Sequence, residues 1–143
     1  MIPRDGGPTV ARVKPALLVV DLQNEFFADD SPALPSLRAA VEYVNAAIGL
    51  FRKLGAPVVV VRDLEEPARV PGAASFEVHP SVEVEPGDAH VDKRFCNAFW
   101  KTDLEERLRA QGVDFVVVTG FCAEYCVFGT FRRAQERGFG AAV

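Results

Sequence analysis

Three short, almost wholly apolar runs, "PALLVVDL" at 15–22, "APVVVVRDL" at 56–64 and "VDFVVVTGF" at 113–121, are separated by helix-compatible windows. Together they predict an α/β fold of three layers, with a mainly parallel central sheet flanked by helices. Continuous rather than alternating apolarity marks strands buried on both faces, and parallel neighbours need crossover connections, which are right-handed.

Between the first two runs, "PSLRAAVEYVNAAIGLFRKLG" places Leu37, Val41, Val44, Ile48, Phe51 and Leu54 at steps of three and four. That spacing predicts a helix with one apolar face, terminated by Gly55. Ahead of the third run, "TDLEERLRAQG" sets Thr102 three residues before Glu105, a capping-box pattern, with Leu104 and Leu108 on one face and Gly112 as terminator. A third helix is expected over "YCVFGTFRRAQERG", and "GFGAAV" starts another strand at 138–143. The middle, "EEPARVPGAASFEVHPSVEVEPGDAHV", holds four prolines and reads as a long surface excursion leading into a short strand near 89–93.

A chain of 143 residues, 49% of them hydrophobic, suits one compact domain, 1–143, with one substantial core. The formal charge of −4 and dispersed basic residues speak against nucleic acid or anionic lipid as partners. "MIPRDGGPTVARVKP" lacks the basic start and apolar core of a signal peptide, and no apolar run approaches the roughly 20 residues that cross a bilayer. The expectation is a soluble cytoplasmic protein whose three cysteines are reduced.

Ligands of parallel α/β sheets gather beyond the carboxyl ends of the strands. Asp21, Asp63, Lys93 and the turn "TGFCAEYCV" at 119–127 all fall there. Asp21 is either a solvent-facing strand-end residue or a partly buried carboxylate able to pass a proton. Lys93 lies among apolar and aromatic residues, unlike the surface lysines Lys53 and Lys101, and can steady an adjacent thiolate. Cys122 and Cys126 stand four apart, which suits neither a zinc clip nor a CxxC redox pair. Cys96 and the Cys122 side chain are assigned to the core. Cys126 is the nucleophile candidate, because a thiol in the first turn of a helix has its pKa lowered toward the thiolate, on a turn similar to a nucleophile elbow.

Taken together, "VVDLQNEFF", "DKRFCNAFWKT" and "VVVTGFCAEYCV" resemble the isochorismatase-like cysteine hydrolases, from about Lys14 to the end of the chain. The resemblance implies a Rossmann-like three-layer fold and a triad of Asp21, Lys93 and Cys126. It also implies an oxyanion hole from the backbone N–H groups of Cys122 and Cys126, shaped by a cis Phe121–Cys122 bond. It further implies hydrolysis of a C–N bond in a small amide or carbamoyl compound through a thioester, with no cofactor.

Nicotinamidases of that superfamily build a metal site from an Asp-x-His unit and a further His. Here "RDLEE" offers Asp63 and Glu65 without histidine, and His79 and His90 read as surface residues, so no metal is expected. Phe26, Phe99, Trp100 and Tyr125 flank the candidate residues and are assigned to the substrate pocket, with plain core as the equal alternative. Relatives continue past the "GFGAAV" strand with another helix and strand. The chain is therefore expected to be short at its C-terminus, either as a truncated sequence or with the missing apolar edge supplied by another subunit, and the resemblance, whose members are commonly oligomeric, implies a homo-oligomer. The rival readings are an inactive small-molecule-binding or oligomer-forming member of the same superfamily, and a nucleotide-binding module. The latter ranks last, because no glycine-rich phosphate loop follows a strand.

Overall fold

The central strand is apolar throughout: Ala16 to Val20 are all at most 1% exposed. In the computed structural model, which describes residues 12–143, this strand, β1 (Pro15–Val20), pairs in parallel with β2 (Val58–Asp63) on one side and β4 (Phe115–Gly120) on the other. β3 (Ala89–Lys93) joins beyond β2, and β5 (Gly140–Ala142) beyond β4. The result is a five-stranded all-parallel sheet in the order β3-β2-β1-β4-β5. Residues 1–11, most of the segment read for an export signal, lie outside the described residues. Among the described residues no helix is long and apolar enough to cross a membrane.

Side chains alternate across a strand, so β1 supplies both halves of the core. Leu17 and Val19 meet Leu37, Val41, Val44, Ile48 and Phe51 of α1 (Leu34–Lys53). Ala16, Leu18 and Val20 face the opposite cluster, with Leu104 and Leu108 of α2 (Leu104–Ala110) and Ala134 of α3 (Phe128–Glu136). Each fully buried Leu or Ile in these layers contributes about 1.5–3 kcal/mol relative to exposure.

Several expectations are corrected by packing. The stripe on α1 holds through Phe51, but Leu54 lies past the last turn and is 63% exposed. Gly55 ends the helix at φ +65, donating its N–H to Arg52 O at 3.0 Å. The capping box does not form: Asp103 precedes α2, and Thr102 Oγ1 donates to Ala98 O while accepting from Leu104 N. The third helix does not begin as an α-helix. Residues Ala123–Val127 form one π turn, with Val127 N bonded to Cys122 O at 3.1 Å, before α3 starts. The middle excursion runs mostly over the surface into β3, as expected, but it is anchored inward at three residues. It sinks Phe76 to 0% exposure and Val82 to 4%, and it brings Arg69 inside at 8%.

At Gly120 (φ +126), a Cβ would stand 2.0 Å from Val20 O, so the end of β4 can lie against β1 only with glycine there. Gly120→Ala is expected to destabilise the fold by about 3 kcal/mol or more. That lowers the melting temperature by roughly 10 °C in a thermal melt.

Candidate active site

β1 is where the sheet order reverses: the chain passes to β2 and β3 on one side and to β4 and β5 on the other. At such a switch point the loops leaving neighbouring strands part, opening a crevice at their carboxyl ends. Asp21 follows β1 directly, in the left-handed region at φ 55, a conformation that costs about 1–3 kcal/mol for a non-glycine residue. Lys93 closes β3, and Cys126 sits in the π turn after β4.

The structure brings these three together around one ammonium. Lys93 Nζ lies 2.9 Å from Asp21 Oδ2, 2.9 Å from Asp63 Oδ1 and 3.4 Å from Cys126 Sγ. Its three N–H donors thus meet three partners while the side chain is 0% exposed. Burial opposes the charge on Lys93, but the Asp21 carboxylate and the bonds to Asp63 and Asp21 outweigh it and hold the amine protonated above the ordinary lysine range. Burial pushes Asp21 up to about 6, against the pull of Lys93. Asp21 Oδ1 has no hydrogen-bond partner among the described residues, so it is available to take a proton.

Cys126 corrects the expectation of a low-pKa thiol. Burial, followed by the adjacent Asp21 carboxylate, pushes it up to about 12, with Lys93 opposing. The resting site is therefore a neutral thiol beside a carboxylate and ammonium pair. A helix terminus cannot offset the placing of a second anion against Asp21.

The other cysteines also differ from expectation. Cys96 is exposed, because it lies in the loop after β3 over Gly129 of α3. Cys122 is half-buried and its thiol is raised by burial and by Glu124, while its carbonyl accepts from Tyr125 N at 3.2 Å. The Phe121–Cys122 peptide bond is cis.

Of the aromatic candidates, Phe26 packs on Phe121 with ring centroids 5.0 Å apart, beside the crevice. Phe99 is core instead, 5% exposed and 5.8 Å from the Phe139 ring. Trp100 and Tyr125 are 43% and 66% exposed. A cavity of about 450 Å³ lies at the opposite end of the sheet, between Lys14, Leu54, Pro57 and Gln111, and has no part in this cluster.

Asp63, placed at a strand end by the sequence but given no role there, joins the cluster, and two further residues, Gln23 and Arg69, escaped the reading of the sequence. Asp63 holds Lys93 through one oxygen, and its other oxygen bonds Arg69 Nη2 at 2.6 Å. Gln23, 0% exposed, donates to Asp63 O and Phe76 O and accepts from Asp63 N at 2.7 Å. Arg69 also pairs with Glu25 and Glu65. The only trace of Arg69 in the sequence is an arginine placed four and six residues after two acids in a proline-rich loop.

The donors at Asp63 do not fit a metal ion. Both Asp63 oxygens are engaged by cationic side chains, and Glu65 and Glu25 are turned onto Arg69. His79 is half-buried, stacked on Phe27 at 4.0 Å with Nδ1 against Ser81 Oγ. Among the described residues no group of three His, Cys, Asp or Glu side chains is arranged to hold a metal.

An acid, an ammonium and a thiol in one crevice of a parallel α/β sheet are the parts that nucleophilic hydrolases use. The family model described as the isochorismatase domain matches residues 15–143, and the chain belongs to that family. It is 33% identical over 128 residues to the uncharacterized isochorismatase family protein YddQ of Bacillus subtilis, covering 87% of this chain and 71% of that one. It is 30% identical over 149 residues to the maleamate amidohydrolase of Pseudomonas putida, covering 88% and 68%. The crystal structure of N-carbamoylsarcosine amidase from Thermoplasma acidophilum superposes with a TM-score of 0.80 at 33% identity, covering 90% and 80%.

With Asp21 ionised beside it, Cys126 is expected to react with iodoacetamide only at more alkaline pH than exposed Cys96, read by mass mapping. Asp21→Asn removes the neighbouring anion and should shift Cys126 labelling to lower pH.

Proposed function

We propose that this protein is a cysteine-dependent amidohydrolase that cleaves a C–N bond in a small amide or carbamoyl compound. The observation that carries the reading is the contact of one buried ammonium with both a carboxylate and a thiol drawn from separate strands. The amidohydrolase and amidase names of two relatives support this bond class.

The neutral thiol sets the order of events. As Cys126 Sγ attacks the carbonyl carbon, its proton passes to Asp21, so a free thiolate beside that carboxylate never forms. An Asp near 6 is ionised at neutral pH yet basic enough to take the proton and return it. The N–H groups of Cys122 and Cys126 stabilise the oxyanion. Asp21 then protonates the leaving nitrogen, the C–N bond breaks, and a thioester remains on Cys126. Water, deprotonated by Asp21, attacks that carbonyl, and the thiol is regenerated as the acid leaves. Lys93 stays charged throughout, balancing whichever of Asp21 and the oxyanion is negative.

With both Asp63 oxygens and Glu65 engaged by Lys93 and Arg69, the donor set does not suit substrates that must be held by a metal coordinating a ring nitrogen. Phe26 and Phe121 instead offer an apolar wall beside the site.

Ammonia release from a panel of small amides, ureas and carbamoyl compounds tests the reading. Cys126→Ala should abolish turnover of any substrate found, and Asp21→Asn should lower kcat by about 10²–10⁴-fold. Because the working form carries ionised Asp21, kcat/KM should hold at neutral pH and fall as the pH drops through about 6. Dialysis against EDTA should leave the rate unchanged. Release from none of the panel, or full activity in Cys126→Ala, would sink the proposal.

A further inference from the structure

Lys93 has one positive charge and two carboxylates, Asp21 and Asp63, on it. Asp21 is 2% exposed, whereas Asp63 is 20% exposed and would be drawn toward solvent if nothing held it. What prevents this is Arg69. Nη2 bonds Asp63 Oδ2 at 2.6 Å and also reaches Glu65, while Nη1 bonds Glu25 Oε2 at 2.6 Å. The guanidinium lies 5.1 Å from the centroid of the Phe26 ring and its side chain is 10% exposed.

Arg69 is itself held in place by backbone. Its N–H and C=O pair reciprocally with those of Glu65. The loop that carries it is tied down by the bond from Asn24 to Ala74 O, by that from Gln23 to Phe76 O, and by that from Ser75 to Ala68 O. A planar fork with donors on two sides can bridge three carboxylates at once, which a point-charge ammonium cannot.

We infer that Arg69 is a positioning residue of the catalytic site, a built-in cation that locks Asp63 and through it fixes Lys93 against Asp21 and Cys126. The four carboxylates Asp21, Asp63, Glu25 and Glu65 thereby share two covalently held positive charges. This inference rests on the hydrolase reading for its consequence in turnover, but its geometric content can be tested without a substrate.

The alternative is that Arg69 merely fastens the loop over residues 64–78. The two differ in what reaches Asp21 and Cys126. The titratable groups set against Asp21 are the charged Lys93 and Asp63 and the neutral thiol of Cys126. Removing the cation behind Asp63 leaves the field at Asp21 and Cys126 more negative, so both should give up their protons at higher pH. A loop fastener would alter stability without that shift.

The test compares wild type with Arg69→Ala and with Arg69→Gln, which preserves more of the side chain's bulk and polarity. Circular dichroism and thermal melts identify the folded variants. The folded variant should lose about 10²-fold in kcat/KM, the scale of a misplaced catalytic group. The acid limb of its pH profile should move up, and millimolar guanidinium, far below denaturing levels, should restore both. In parallel, the pH dependence of Cys126 alkylation by iodoacetamide should shift upward and return with guanidinium. This second readout needs no substrate. If wild type hydrolyses nothing but the alkylation shift appears, the amide reading fails while the role of Arg69 stands. A folded variant with unshifted profiles, or with lost activity that guanidinium does not restore, overturns the inference.

Discussion

A lysine ammonium buried to 0% exposure is the constraint around which the rest of this molecule is arranged. Moving such a charge out of water costs several kcal/mol unless other charges and hydrogen bonds replace the solvent. Lys93 meets that demand with Asp21, Asp63 and the Cys126 sulfur, each from a different segment. Loss of any one leaves the others overcharged or unpaired. The same three contacts that make the burial tolerable also set the protonation states of the site. The carboxylate is held near 6, the amine stays charged, and the thiol keeps its proton.

The scaffold exists to bring those segments to one point. Parallel pairing on both sides of β1 puts the carboxyl ends of β1, β2, β3 and β4 along one edge. The reversal of order at β1 opens the edge beside Asp21. Local geometry is adjusted there at a cost to regularity. Asp21 takes a left-handed backbone, Gly120 admits the close approach of Val20, and a π turn precedes α3. Such departures are tolerated where the surroundings over-determine them, and π turns recur at functional positions.

Much of the fold was legible because burial leaves a periodic trace. The α1 stripe from Leu37 to Phe51 and the apolar runs of β1, β2 and β4 could be read directly, since each element must turn a fixed set of positions inward. Signals that depend on what lies across space were misread. Leu54 continues the stripe but falls beyond the last turn, and Cys96 looked like core although its loop faces solvent. Phe99 and Trp100 are adjacent and similar in kind, yet one is core and the other is exposed.

For the candidate site, strand ends that share one edge of a parallel sheet nominated Asp21, Asp63, Lys93 and the turn carrying Cys126, and the resemblance of three motifs to a known family singled out Asp21, Lys93 and Cys126. Their electrostatics could not be nominated that way. A pKa reflects the distance to neighbours that are far apart in sequence, and the first-turn argument for Cys126 left out the carboxylate that folding sets beside it. Gln23 and Arg69, and the part Asp63 plays between Lys93 and Arg69, became visible only once the loop over residues 64–78 was folded down against β1 and β2. Periodicity is written in the chain, whereas the meeting of distant charges is decided by packing alone.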